Sequence, residues 1–239
     1  MKRWRGIFVT GTDTGVGKTV VTAAVAAALR EKGWHAGVWK PVQSGGLMGN
    51  GMTDAECLLR WTGLDEQPEA IAPFSWEAPL APMLAARLAG LTLTLEMVMS
   101  AGEPLAQRYE TLLIEGAGGV AVPLAEDALI VDLMAKLQVP ALIVARAGLG
   151  TINHTLLTAA FLRQRQIPIV GVVLNEGPAA ADDPSTASNT KLIELFGGLK
   201  VLGCFPRLAG DLNRETLVRA AQETLDLAHI GRVLAASHE

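Results

Sequence analysis

The short apolar stretch from Gly6 to Thr10 runs directly into Gly11-Thr-Asp-Thr-Gly-Val-Gly17-Lys18-Thr19. An Ala-rich stretch from Thr19 to Lys32, closed by Gly33, follows at once. A β-rich segment, a glycine-rich bend and a helix-forming segment in that order constrain this chain more than any other feature, because the helix then opens where the strand ends. Successive N–H groups of the bend and the positive end of the helix dipole face one point, which is an anion site. The spacing from Gly11 to Gly17 is one residue longer than in the common phosphate loop. The physical argument is unaffected by the extra residue. Lys18 is expected to reach terminal phosphates, and the Thr19 hydroxyl is a hard oxygen suited to magnesium. The expected nucleotide contacts run through Gly15, Val16, Gly17, Lys18, Thr19 and Val20. An ordinary strand-to-helix loop with a surface lysine is the alternative.

The same alternation recurs along the chain. Strands are predicted over Ala36–Lys40, Thr111–Glu115, Ala141–Ala145, Pro168–Asn175 and Lys200–Phe205. Helices are predicted over Thr53–Trp61, Pro82–Leu88, Leu93–Gln107, Asp127–Leu137, Thr151–Arg165, Asn189–Phe196 and, as one long element, Arg214–Ala236. Glu176–Thr190, rich in Ala, Pro, Asp and Ser, reads as a surface loop. Leu112–Ile114 and Leu142–Val144 are apolar without alternation, as strands covered on both faces are. The expected fold is α/β: one doubly wound, mostly parallel sheet flanked by helices, like the P-loop NTPases, forming a single domain over 1–239. Ligands of such sheets bind beyond the carboxyl ends of the strands.

Composition narrows the function. A net charge of −4 argues against a broad basic face for nucleic acid. The apolar run Ile7–Val9 behind the basic Met1–Arg5 is too short for a signal-peptide core, and no membrane span is visible. Cys57 and Cys204 lack metal-ligand spacing. A cytoplasmic protein with neither a nucleic-acid nor a membrane partner is expected.

Two further motifs close predicted strands: Trp39-Lys40-Pro-Val-Gln-Ser44-Gly45 and Ile114-Glu115-Gly116-Ala117-Gly118-Gly119. With these in register behind the glycine-rich loop, the chain resembles the dethiobiotin synthetase family over nearly its whole length. Asp54, Ala78-Pro-Leu-Ala-Pro82, Gly150-Thr151-Ile152-Asn153-His-Thr and Asn175 extend the match. The resemblance implies an ATP-dependent cyclo-ligase acting on 7,8-diaminopelargonate and CO2. A carbamate forms on one amine and is phosphorylated by ATP, and the second amine then closes the ring. It further implies that Lys40 meets the carbamate and the γ-phosphate while Lys18 stabilises the phosphoryl group, so these two are the catalytic candidates. Thr19, Asp54 and Glu115 would hold Mg2+.

By the same resemblance, Thr14, Ser44 and Gly118 would contact the substrate, and Gly150–Asn153 would bind its distal carboxylate across a homodimer interface, from the partner subunit. Gly116, Ala117 and Gly118 would lie along the nucleotide, with Asn175, Glu176, Phe205, Pro206 and Arg207 around adenine. Read alone, several of these residues have plainer roles. Asp54 after Thr53 is a helix-start residue facing the dipole, and Thr14, Ser44 and Asn175 are ordinary turn residues. Glu115 is less easily dismissed, since an acid ending an apolar strand sits where such a sheet meets its ligands.

The chain departs from the family pattern at Gly15, where some members carry an acid, and at Pro82-Met83, where many read Pro-His. Two other readings compete. A dimerising septum-placement or partitioning ATPase would carry an extra lysine between Thr10 and Gly17, where there is none. A cobyrinate-type amidation domain would need a glutamine-hydrolysing partner domain, for which 239 residues leave no room.

Overall fold

The computed structural model describes residues 4–177 and 183–236. The basic opening Met1–Arg3 and part of the expected 176–190 loop lie outside the described residues. β1 (Gly6–Gly11) feeds α1 (Lys18–Glu31), which returns to β2 (Ala36–Trp39). β3 (Val42–Ser44), α2 (Asp54–Thr62), α3 (Pro68–Ile71), β4 (Phe74–Trp76), α4 (Pro82–Leu88) and α5 (Leu95–Arg108) precede β5 (Thr111–Gly119). β6 (Pro123–Ala125), β7 (Ala128–Leu129), α6 (Ile130–Leu137), β8 (Ala141–Arg146), α7 (Thr151–Gln164) and β9 (Ile169–Asn175) follow. The chain closes with α8 (Thr186–Gly197), β10 (Val201–Phe205), α9 (Arg214–Thr224) and α10 (Leu227–Ala236).

Six strands form one sheet in the order β10-β9-β8-β1-β5-β2, and every neighbouring pair is parallel. The chain steps one way from β1 through α1 to β2 and the other way from β8 through α7 to β9. Right-handed crossovers in opposite directions put α1 and α7 on opposite faces. Strands covered on both sides need no alternation, and Leu112–Ile114 and Leu142–Val144 are accordingly buried. The apolar core is continuous from Ile7 to Leu234. Among the described residues, no helix is long and apolar enough to cross a membrane.

The structure corrects the predicted elements at five places. β5 does not end at Glu115 but continues to Gly119, because a register shift beside Val9 lets Gly11 pair with Gly119. α6 starts at Ile130 rather than Asp127, since Ala128–Leu129 pair back on Pro123–Ala125. The Asp132 carboxylate accepts from the Leu129 N–H at 2.8 Å and caps that start. α8 begins at Thr186, three residues before Asn189. The long C-terminal helix is two helices: Leu225 bridges to Gly203, and the Asp226 N–H donates to the Leu202 carbonyl at 2.7 Å. The Asp226 carboxylate then accepts from the His229 N–H at 2.9 Å and starts α10. Finally, β3 and β4 form a separate parallel pair that apolar pattern alone did not indicate.

α5 lies so close to β2 that a Cβ on Gly102 would come within 2.4 Å of the Trp39 ring. Trp39 is fully buried and stacked on Trp4 with ring centroids 5.1 Å apart. On an open helix surface Gly→Ala gains about 1 kcal/mol. Here overpacking reverses the sign, and Gly102→Ala is expected to cost about 1–3 kcal/mol. Urea unfolding decides between the two, and a stabilised variant would show that the indole yields freely.

Candidate active site

Register in the sheet brings the charged residues together. Trp39 pairs with Ile114 across β2 and β5, so the next residue on each strand, Lys40 and Glu115, are neighbours. Glu115 also pairs with Val9 of β1, which sets it beside the loop that β1 feeds. The Lys40 N–H donates to the Ile71 carbonyl at 2.9 Å, so its backbone is fixed and Pro41 leads away into β3. Asp54 is the first residue of α2. Thr53 caps that helix in a capping box with Glu56, whose carboxylate accepts from the Thr53 N–H at 3.0 Å. The helix-start role is thus filled by Thr53, and the half-exposed Asp54 side chain turns toward Lys40 and Thr19.

The Lys40 ammonium lies 2.7 Å from Asp54 Oδ2 and 2.7 Å from Glu115 Oε1, and it also donates to the Gly116 carbonyl at 3.3 Å. Thr19 Oγ1 lies 2.9 Å from both Asp54 Oδ1 and Glu115 Oε1. With one proton, it can donate to only one of them at a time. Glu115 is completely buried, and its Oε2 has no hydrogen-bond partner among the described residues. A fully buried carboxylate with an unpartnered oxygen invites a cation. The oxygens of Thr19, Asp54 and Glu115 are the hard donors that suit magnesium. Among the described residues no three His, Cys, Asp or Glu side chains cluster for a metal, so water or a bound ligand would complete the coordination shell.

Burial pulls Lys40 down, but Glu115 and Asp54 more than offset it and hold the ammonium at a pKa of about 12. Burial tends to raise Asp54, yet the charge of Lys40 and hydrogen bonds from Lys40 and Thr19 hold it below the usual carboxylate range. Lys18 differs: burial first, then repulsion from Lys40, lowers it to about 8. Its ammonium donates to the Asp13 carbonyl at 3.0 Å. Asp13 in turn pairs with Arg146 at 2.9 Å, tying the loop to the end of β8.

Gly17 adopts φ 90°, a left-handed conformation that glycine takes without strain. A Cβ there would also lie 2.1 Å from Asn175 Nδ2. The Asn175 amide donates to the Val16 carbonyl at 3.0 Å, so the end of β9 braces the phosphate loop directly.

A cavity of about 600 Å3 opens over these groups. Of the residues expected from sequence, Thr14, Gly15, Gly17, Lys18, Thr19, Val20, Lys40, Ser44, Asp54, Glu115, Ala117 and Gly118 line it. Val16 and Gly116 lie behind the wall and act through their carbonyls. The remaining expected residues stand apart. Asn175 and Glu176 at the end of β9 meet Phe205 at the end of β10, where Asn175 pairs with Phe205 and the Glu176 N–H donates to its carbonyl at 2.9 Å. Pro206 and Arg207 follow that strand, and none of these five lines the cavity. Gly150–Asn153 open α7, also outside it, and the buried Thr151 hydroxyl has no partner among the described residues.

The cavity wall also includes Gln43, Pro79, Leu80, Ala81, Pro82 and Val122, which were not singled out from sequence. Gln43 and Pro79–Pro82 lay inside recognised motifs, and that membership was the only available signal. Ser44 Oγ donates to the Leu80 carbonyl at 2.7 Å and joins the two segments.

A family profile described as an AAA domain matches residues 5–216. The ATP-dependent dethiobiotin synthetase BioD of Bacillus cereus is 40% identical over 225 residues, covering 94% of this chain and 93% of the relative. The enzyme of the same name from Bacillus subtilis is 40% identical over 224 residues, covering 94% and 96%. Among solved structures, the Pyrococcus furiosus cell division ATPase MinD matches with a TM-score of 0.50 at 17% identity, covering 91% of this chain and 97% of that one. The Pyrococcus horikoshii septum site-determining protein MinD, complexed with Mg-ADP, matches at 0.53 and 16% identity, covering 96% and 94%. At such identities these structures share the fold alone.

The depressed Lys18 has a measurable consequence. Its folded pKa of about 8 lies below the ordinary 10.5, so near pH 8 a large share of the residue is neutral and free to take up a proton. A polyphosphate bound against it favours the charged form. ADP binding at pH 8 is therefore expected to take up about half a proton, and less at pH 7. Calorimetry in buffers of different ionisation enthalpy reads this uptake. No uptake in wild type, or the same uptake in Lys18→Gln, would contradict the assignment.

Proposed function

The chain belongs to the ATP-dependent dethiobiotin synthetase family, and from that membership and the charge arrangement over its cavity we propose how it carries out the reaction. It is an ATP-dependent ligase of biotin biosynthesis that forms dethiobiotin. The observation that carries the residue assignments is the pairing of Lys40 with two carboxylates at one end of a cavity whose other lining includes the phosphate loop.

One amine of 7,8-diaminopelargonate takes up CO2 as a carbamate. The carbamate oxygen attacks the γ-phosphorus of ATP as the bond to ADP breaks, and the second amine attacks the carbonyl carbon and expels phosphate. Little covalent chemistry falls to the protein in such a transfer, so its task is to position groups and balance charge. We assign Lys18 to the transferred phosphoryl group and Lys40 to the carbamate and γ-phosphate together, where its compact charge can meet both. Thr19, Asp54 and Glu115 are assigned to Mg2+, which when bound neutralises phosphate charge. The backbone of Gly15–Val20 and Gly116–Gly118 holds the phosphates, and Asn175, Glu176 and Phe205–Arg207 take the base. Thr14, Ser44 and Gly118 face the diamine. Gly15 has no side chain to add a contact, so that position acts through its backbone.

The substrate's distal carboxylate is assigned to Gly150–Asn153 of a partner subunit in a homodimer. Two features support this. α7 opens at Gly150 with no side chain capping its first turn, and Leu149 and Leu157 around it are strongly exposed apolar side chains. An acidic, disulfide-free chain of this kind is assigned to the cytoplasm, as a single domain.

The reaction predicts that ATP turnover requires both diamine and CO2, because the carbamate is the nucleophile. Phosphate release and dethiobiotin, followed together by mass spectrometry, should rise only when both are supplied. Turnover stimulated instead by DNA or lipid vesicles would favour a regulatory ATPase of the kind whose fold it shares. For the dimer, Leu157→Lys is expected to halve the molecular mass seen by light scattering and to raise KM for the diamine at least tenfold. An unchanged mass would move the interface elsewhere.

A further inference from the structure

All three protons of the Lys40 ammonium are committed: to Asp54 Oδ2 at 2.7 Å, to Glu115 Oε1 at 2.7 Å and to the Gly116 carbonyl at 3.3 Å. In that pose the side chain is almost wholly buried and has no donor left for a phosphate or a carbamate. The same Glu115 Oε1 that it holds also meets Thr19 Oγ1, and Thr19 reaches the second oxygen of Asp54. The lysine and the proposed cation site therefore share their carboxylates.

We propose that Lys40 and the divalent cation compete for Asp54 and Glu115, so that cation binding displaces the Lys40 ammonium into the cavity and thereby makes it available to substrate. This rests on the assignment of Thr19, Asp54 and Glu115 to Mg2+ made above. Two charge arguments lead to it. Lys18, Lys40, Asp54 and Glu115 together carry no net charge when all are ionised, so a lone divalent cation entering among them meets two ammonium groups and gains little. Removing Lys40 leaves an excess negative charge at the same oxygens and must strengthen cation binding. A polyphosphate arriving with the cation supplies new partners for both lysines. Movement is confined to the four-carbon side chain, because the Lys40 N–H is bonded to Ile71 and Pro41 follows.

The test is calorimetric titration of Mn2+ alone into full-length wild type, Lys40→Gln and Glu115→Gln, with circular dichroism to confirm folding. Lys40→Gln is expected to bind Mn2+ at least tenfold more tightly than wild type, an effect opposite in sign to the loss of an ordinary site residue. Equal or weaker binding by the folded variant would overturn the competition. Wild type provides an independent arm that does not depend on how the variant folds. Acylation of Lys40 by an amine-reactive ester, read by peptide mass spectrometry, should accelerate several-fold at Mg2+ concentrations that saturate the site in the calorimetric titration, because the displaced amine leaves its carboxylates. An unchanged rate would equally count against displacement. Undiminished Mn2+ binding by Glu115→Gln would instead remove the cation assignment itself, while dethiobiotin formation by wild type tests the reaction separately.

Discussion

A carboxylate taken entirely out of water is tolerable only if something of opposite charge goes in with it, and Glu115 is such a group. Its position follows from parallel pairing. β5 lies between β1 and β2, so the strand that carries the acid has the phosphate loop on one side and Lys40 on the other. Lys40 supplies that charge and Thr19 a hydrogen bond, while Asp54 at the start of α2 draws on the same ammonium. Disturbing any of these partners changes the charge balance for all of them. The site therefore works as a coupled unit, in which the effects of single substitutions are not expected to add.

The sheet was legible from sequence because burial on both faces removes alternation, and short unbroken apolar runs such as Leu112–Ile114 are what strands covered on both sides leave behind. The phosphate loop was legible because its glycines follow a strand and open a helix. Other elements were hidden for identifiable reasons. The break at Leu225–Asp226 is invisible to periodicity, since apolar residues continue across it and the interruption comes from bonds to Leu202 and Gly203, residues more than twenty positions earlier. β3 and β4 are three residues each and only half-buried in part, too short for a pattern. At the site, Lys40 and Glu115 were recognised through motifs, while Gln43 and the Pro79–Pro82 wall depend on a tertiary contact, the Ser44–Leu80 bond, that no local rule contains.

The cell division ATPases that share this fold and the synthetases that share 40% of the sequence illustrate how little architecture says about chemistry. One fold serves either activity. The difference must lie in what faces the phosphate loop across the cavity, and here that is a lysine between two acids, together with a wall built from β3 and the segment before α4.

That wall is carried by pieces outside the main sheet. Among the described residues β3 pairs only with β4, and the two form a separate parallel ribbon joined to the central sheet through the Lys40–Pro41 step. The phosphate loop is thus part of the six-stranded framework, whereas the wall opposite it, to which the diamine is assigned, belongs to a second, two-stranded ribbon held through the Gln43 side chain, which accepts from the Ala55 N–H at 3.1 Å. Such a division means that different strand pairs set the shape of the two surfaces. A change of outline in the ribbon would alter what fits against it, and the sheet order that brings Lys40 and Glu115 together would still be fixed by β1, β5 and β2.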